Sequence, residues 1–396
     1  MTPMTEFAEH LCRITGIGQS EAGRPSSKNP IQLTMDAALQ AIADAGLTVD
    51  DIDGITNYPM KTTEGGGISP VGVSETMFAL GIDATWIGSS SHESAGHMSA
   101  IFQAIMAISA GICRHVLVFR TVAQAQARQV SRASTLLTGS RARVDGNNAW
   151  TVPFNAISPA NMWALYAQAY FDKYGARSDQ LGAIAVNGRR MAALNPNAIY
   201  KKPLTIDDYM ASRMISTPLR LYDCDSHIDG STAFVISHRD AARDTPHPIH
   251  IEAMGMSLGG LGLGIHEGDF TFLPADRAGA MLWSRTDLKP KDVDVAQIYD
   301  GFSILTLMWM EAVQLVGRGE AAAFVEGGSR IWLDGELPLN TSGGQLSAGR
   351  FHGFGHIHEA CVQVLGRGGA RQVKDAKVSI VTNGGYGYGA LLLRRD

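Results

Sequence analysis

Charge is scarce in this 396-residue chain: 18% of residues are Asp, Glu, Lys or Arg, while 45% are hydrophobic. That balance excludes a disordered chain and fits a large folded protein of roughly two or three domain-sized units. There is no excess of positive charge either. The formal net charge is −5, so no global basic field exists to hold nucleic acid. Cysteine is rare and scattered: Cys12, Cys113, Cys224 and Cys361 form no CxxC pair. This argues against a disulfide scaffold or structural zinc site and fits reduced thiols in a cytoplasmic enzyme. No run reaches the ~18 apolar residues of a membrane span. The opening MTPMTEFAEHLCR carries acids and no apolar core, so it does not read as a signal peptide. The expectation is a soluble, cytoplasmic protein with neither nucleic-acid nor membrane partners.

Glycine, by contrast, is abundant at 44 residues, which points to tight turns and close backbone approaches. Residues 11–18 predict a strand, and 31–46 a helix stopped by Gly46. Residues 97–110 predict a nearly all-apolar helix capped by Gly111, and HVLVFR (115–120) a strand without polar alternation. Such elements belong to layers buried on two faces. Residues 83–90 leave strand and helix both open. Residues 121–218, with a cluster of Arg and a Trp/Pro patch, read as an insertion. Strands at 232–238 and 250–256 bracket a midpoint, and the grammar then repeats. A strand enters a loop (295–302), a helix follows (303–316), a Gly-rich loop enters a helix (340–366), and two strands close the chain (377–385 and 388–396). The repeat predicts an α/β fold built from a duplicated unit. Its parts are an N-terminal half (1–120 with 219–245), an inserted loop domain (121–218) and a C-terminal half (246–396).

The segment NTSGGQLSAGRFHGFGHIHEACVQVLG (340–366) offers backbone N–H groups at a helix start, where an anion or carbonyl oxygen would bind, or else forms a tight turn between layers. It is neither GxGxxG nor a P-loop. On a helix His352 and His356 share a face while His358 points elsewhere, so hydrogen-bonded histidines are expected rather than a metal. SSSHESAG (89–96) lacks the GxSxG of a hydrolase elbow. Arg128, Arg132, Arg141 and Arg143 have no acid before Asp145; they form a solvated loop face or meet phosphates.

Together these pieces resemble one family over nearly the whole chain. The order ITGIGQSE, AGLTVDDIDGI, SAGHMSAIFQAIMAISAG, RLYDCDSHIDGSTAFVIS, QIYDGFSILTLMWMEAVQLVGRGE, NTSGGQLSAGRFHGFGHIHEACVQVLG and VTNGGYGYGALLL is similar to the thiolase superfamily. The branch is that of sterol-carrier-protein-X and lipid-transfer proteins. The resemblance implies a five-layer αβαβα thiolase fold of two pseudo-repeats with an inserted loop domain, working as a homodimer. It also implies CoA contacts, for which Arg128 and Arg132 are the candidates. The family's nucleophilic Cys falls at Ser94 by counting back from Gly111, with no Cys between His92 and Gly96. Its catalytic His falls at Arg350, its second Cys at Val381, and the Asn of its NEAF motif at Tyr299.

Thiolase chemistry needs a thiolate to hold the acyl group and a second Cys to move the α-proton, and both are absent here. Cys-less relatives resemble aldolases that cut steroid CoA thioesters by retro-aldol cleavage of a β-hydroxyacyl-CoA. They need no bound cofactor and often need a small OB-fold/zinc-ribbon partner. The expected catalytic residues are Tyr299, Arg350, His352 and Asp300. Arg350 would draw the Tyr299 phenol toward phenolate, bind an acidic group, polarise the thioester oxygen, or simply pair with Asp300. His352 or Glu93 would stand in for the second tyrosine expected where Arg350 lies. Backbone groups near Ser94, Glu93, Asn383, Gly384 and Gly385 would hold the enolate oxygen. The alternative is a non-catalytic acyl-CoA- or lipid-binding scaffold.

Overall fold

A computed structural model describes residues 6–62, 65–90, 96–127, 148–156, 158–258, 269–385 and 387–395. The first half supplies β1 (Cys12–Gln19), α1 (Pro30–Asp44), β2 (Gly54–Asn57), α2 (Val73–Leu80), β3 (Trp86–Ser89), α3 (Ser99–Ser109) and β4 (His115–Ala123). Helices α4 (Pro159–Tyr174) and α5 (Ser178–Ala193) follow, then β5 (Asp229–His238). The second half supplies β6 (Ile249–Leu258), α6 (Asp276–Trp283), β7 (Val295–Gln297), α7 (Ser303–Ala312), α8 (Phe354–Val364), β8 (Val378–Asn383) and β9 (Gly387–Arg394). Local chemistry sets the ends. Asn29 and Gln32 form a capping box at the start of α1, with Pro30 at the first helical position.

The strand order among the described residues is β7-β8-β9-β6-β1-β5-β4-β2-β3. Its two halves meet only where Arg13 and Ile14 of β1 pair with His250 and Ile249 of β6. Each half repeats the same pairing. In the first, β1–β5 and β5–β4 are antiparallel and β4–β2 is parallel. In the second, β6–β9 and β9–β8 are antiparallel and β8–β7 is parallel. The repeated grammar of the sequence is therefore a repeated topology.

Helices α3 and α8 lie between the two half-sheets. Ile101 and Ile105 of α3, with Phe354 and Ile357 of α8, share one buried cluster with Val118 and Phe234 on one side and Val381 and Leu391 on the other. A helix apolar on most faces needs such a position, and each buried Ile or Phe contributes about 1.5–3 kcal/mol there. Helices α1 and α2 cover the outer face of the first half, and α6 and α7 that of the second. The five layers run α-β-α-β-α.

Three sequence expectations shift. Residues 83–90 contain a strand, β3. The helix expected over 303–316 stops at Ala312, because Gln314 takes φ +60° and Leu315 N–H bonds back to Met310 O at 2.9 Å, the ending usually given to glycine. His352 lies before α8 with φ +53°, so it shares no helix face with His356.

Candidate active site

The site forms where β7, β8 and the start of α3 converge beneath the glycine-rich loop. Beyond β7 the chain runs Ile298-Tyr299-Asp300-Gly301 into α7. Tyr299 N–H donates to Thr382 Oγ1 on β8 at 3.0 Å, and the Tyr299 side chain is buried. Asp300 Oδ1 accepts from Gln345 N–H at 2.8 Å, lies 3.0 Å from His356 Nε2, and Oδ2 accepts from Leu346 N–H at 3.4 Å. The loop comes this close because Gly344 has φ +59°; a Cβ there would stand 1.9 Å from Asp300 Oδ2. Helix α5 backs the loop from outside, with Arg189 Nε donating to Ser347 Oγ at 3.1 Å.

Arg350 follows the loop's last turn. Its N–H donates to Ser226 O at 2.8 Å and its Nε pairs with Asp225 Oδ2 at 3.0 Å. Its Nη1 lies 3.3 Å from His227 Nε2 and its Nη2 3.0 Å from His352 Nε2. On the other side of His352, Nδ1 meets Nη2 of Arg120, the fully buried last cation of the apolar strand β4. The Arg120 guanidinium also lies over the Tyr58 ring, 4.4 Å from its centroid. The His97 ring lies against His352, tilted by 47° with centroids 3.8 Å apart, and sits 5.8 Å from Tyr299, centroid to centroid. His97 Nδ1 hydrogen-bonds Asn383 Oδ1 at the end of β8.

Burial dominates the electrostatics. Tyr299 is held far above the usual phenol range by burial; Arg350 pulls the other way but loses. Burial and then Arg120 push both His97 and His352 well below the histidine range, so both rings are neutral. Burial lowers Arg120 itself to about 9. The group is two guanidiniums, neutral imidazoles and a neutral phenol, with Asp225 as the counter-charge beside Arg350.

Tyr299, Arg350, His352 and Asp300 do come together, as does the Asn383 side chain. Gly384 and Gly385 close the same turn, the former's carbonyl accepting from Trp309 Nε1 at 3.0 Å and the latter packed on Trp163. Glu93, Ser94, Arg128 and Arg132 lie outside the described residues. Three expectations are corrected. Arg350 does not pair with Asp300, whose carboxylate is taken by loop amides and His356; its partner is Asp225. Nor does Arg350 make Tyr299 a phenolate, because the cost of a buried negative charge outweighs one cation. His352 has both ring nitrogens against guanidiniums, which leaves neither open to move a substrate proton.

His97, Arg120, Asp225 and His227 were missed. Arg120 carried a signal, a cation ending an otherwise apolar strand, as did His97, the polar residue opening an apolar helix. The cysteines stand apart: Cys12 and Cys361 lie in the central core, Cys113 contacts Asp53 O, and Cys224 Sγ points to Arg220 O.

These layers, with no cysteine among the described residues of the site, define a thiolase-like protein. A family model described as "Thiolase C-terminal domain-like" matches residues 264–391. The chain is 34% identical over 368 residues to the 17-hydroxy-3-oxo-4-pregnene-20-carboxyl-CoA lyase of Mycobacterium tuberculosis, covering 89% of this chain and 91% of that one. It is 32% identical to the steroid side-chain-cleaving aldolase of Thermomonospora curvata, over 97% of both chains. A solved Ltp2-ChsH2(DUF35) aldolase superposes with TM-score 0.86 at 31% identity, over 98% of both chains. The chain belongs to this family of thiolase-like side-chain-cleaving aldolases.

Proposed function

We propose that this chain is a carbon–carbon lyase that cleaves a β-hydroxyacyl-CoA thioester by retro-aldol chemistry, releasing a short acyl-CoA and a ketone or aldehyde. The observation that carries the reading is Tyr299, a buried neutral phenol set among two guanidiniums and neutral imidazoles where thiolases hold their Asn. Cleavage needs no covalent intermediate. The β-hydroxyl loses its proton, the Cα–Cβ bond breaks, its electrons pass to the thioester oxygen as an enolate, and Cα then takes a proton. Tyr299 is the acid that protonates Cα. Arg350, steadied by Asp225, supplies positive field for the enolate oxygen. Asp300 holds the loop rather than the substrate. The names of the relatives support a bulky, steroid-like acyl group. The scaffold reading is disfavoured because a buried Arg–His–Arg run costs stability with no return in a passive binder.

The assembly is part of the proposal. The solved aldolase contains a DUF35 protein, which supports a small OB-fold/zinc-ribbon partner here. A homodimer is supported by the sheet edge: Ile87 of β3 is 54% exposed and Phe78 of the adjoining α2 is 92% exposed. The division into two halves and an inserted domain over 121–218 is retained as part of this reading. The test is direct. Purified chain, alone and with a co-expressed DUF35 protein, is given β-hydroxyacyl-CoA thioesters of steroid and simple branched acids. The expected result is release of ketone and short acyl-CoA in equal amounts; no cleavage of any member by the complex would refute the reading.

A further inference from the structure

We propose that His97 is the general base that takes the β-hydroxyl proton and that Asn383 positions it by fixing its tautomer; this rests on the retro-aldol reading above. Acid and base must be different groups here, because Tyr299 enters as a neutral phenol and cannot accept a proton. The candidates around it divide cleanly. His352 has a guanidinium at each ring nitrogen. His356 faces Asp300, and His227 Nε2 faces Arg350. At His97, Nδ1 is turned to the carbonyl oxygen of Asn383, an acceptor, so the proton sits on Nδ1. The lone pair is then on Nε2, to which no described residue hydrogen-bonds.

The surroundings keep that lone pair available. Tyr58 packs edge-on to the ring at 5.0 Å, and Arg120, Arg350, His352, His356 and Tyr299 face it from the other elements. Two cations and burial hold the ring neutral, while the Asn383 bond raises its affinity for a proton again. The separation also suits the chemistry. The two protons move at Cα and at the oxygen on Cβ, and the His97 and Tyr299 rings stand 5.8 Å apart. The step balances. The β-hydroxyl proton goes to His97 Nε2, the O–H electrons become the carbonyl bond, and the Cα–Cβ electrons form the enolate. Tyr299 then protonates Cα, and the proton on His97 returns to the Tyr299 oxygen, restoring both.

The test uses the complete enzyme with its partner and a β-hydroxyacyl-CoA that the wild type cleaves. His97→Asn keeps a side-chain donor near Asn383 but removes the base. kcat should fall by about two to four orders of magnitude while KM changes by less than about threefold. The acid limb of the wild-type kcat profile, expected below the ordinary histidine range, should vanish. Asn383→Asp puts a carboxylate on Nδ1 and should move that limb to higher pH by a unit or more. This second variant decides the matter if His97→Asn does not fold. Turnover within threefold of wild type in His97→Asn overturns the inference. So does an acid limb retained in that variant or unmoved in Asn383→Asp. Failure of the wild type to cleave any thioester refutes the function instead, so the two failures are distinguishable.

Discussion

Tyr299 is the side chain on which the proton chemistry turns, and its burial decides its direction. A phenol pushed up by desolvation donates; it does not accept at neutral pH. Tyr299→Phe should therefore lower kcat by about two to four orders of magnitude with an unchanged melting temperature, since the ring stays and only the hydroxyl leaves. Turnover within threefold of wild type would remove it from the mechanism. Arg350→Ala should lower kcat more than it raises KM, because an enolate forms only along the reaction path. Arg350→Lys should restore part of the rate, a point charge replacing a planar fork. Neither variant should create a limb from Tyr299 below about pH 10: in Arg350→Ala the lost cation raises the phenol further, and in Arg350→Lys burial still dominates. The acid limb assigned to His97 should rise in Arg350→Ala, because one of the cations that depress it is gone; only a limb that moves up well beyond the histidine range would show that the phenolate is the working form after all. The thiols offer a third check. Burial pushes Cys12 and Cys224 up to about 12 and Cys113 to about 11, so alkylating reagents at neutral pH should leave turnover intact. Substrate-protected inactivation by one equivalent would contradict this. At this scale the sequence was legible where a residue type was out of place, as with Tyr for Asn and Arg for His. It was silent about Asp225 and His227, because only the fold brings the segment before β5 against the glycine-rich loop.

Among the elements, the glycine-rich loop before α8 is anchored at its centre by the Asp300 carboxylate. Asp300 accepts from the amides of Gln345 and Leu346, and Gly344 and Gly353 leave room for Asp300 and Asn383; a Cβ on Gly353 would lie 1.8 Å from Asn383 Nδ2. Asp300→Ala strands buried loop amides at about 1–3 kcal/mol each. The expected outcome is a lower melting temperature together with reduced turnover, because Arg350 and His352 ride on the same loop. A melting temperature unchanged from wild type would show that the loop does not need this anchor. The glycines announced that loop in the sequence, and the apolar runs announced α3 and β4. What periodicity could not show was that His352 falls just outside α8, since a left-handed turn at a non-glycine residue leaves no mark in the pattern of apolar positions. The same holds for the early end of α7 at Gln314.

For the whole molecule, duplication was the most legible feature, because the order of strands and helices repeats along the chain and the pairing of β1, β5, β4 and β2 repeats in β6, β9, β8 and β7. Which edge is left without a partner strand among the described residues was not legible, and it bears on assembly. The two ends of the sheet are β7 and β3. At the β7 end, Leu339 bridges to Ala296 and the Asn340 N–H bonds Ala296 O at 2.9 Å, so a loop covers that edge. At the β3 end, Trp86–Ser89 pairs with β2 on one side, and Ile87, Phe78 and Met106 are exposed around it at 54%, 92% and 56%. Among the described residues no strand pairs with the outer side of β3, and a strand edge flanked by apolar side chains is a template for a second copy. If two chains pair there, a charge placed at the centre of the seam meets its own symmetry mate across a two-fold axis and repels it. Ile87→Lys should therefore shift the protein from dimer to monomer in sedimentation or light scattering. Its melting temperature in dilute solution, where wild type is also dissociated, should be unchanged, because the Ile87 side chain is not part of the folded core. Added salt should partly restore the dimer by screening the paired lysines. A variant that sediments as wild type at all concentrations would place the seam elsewhere on the molecule.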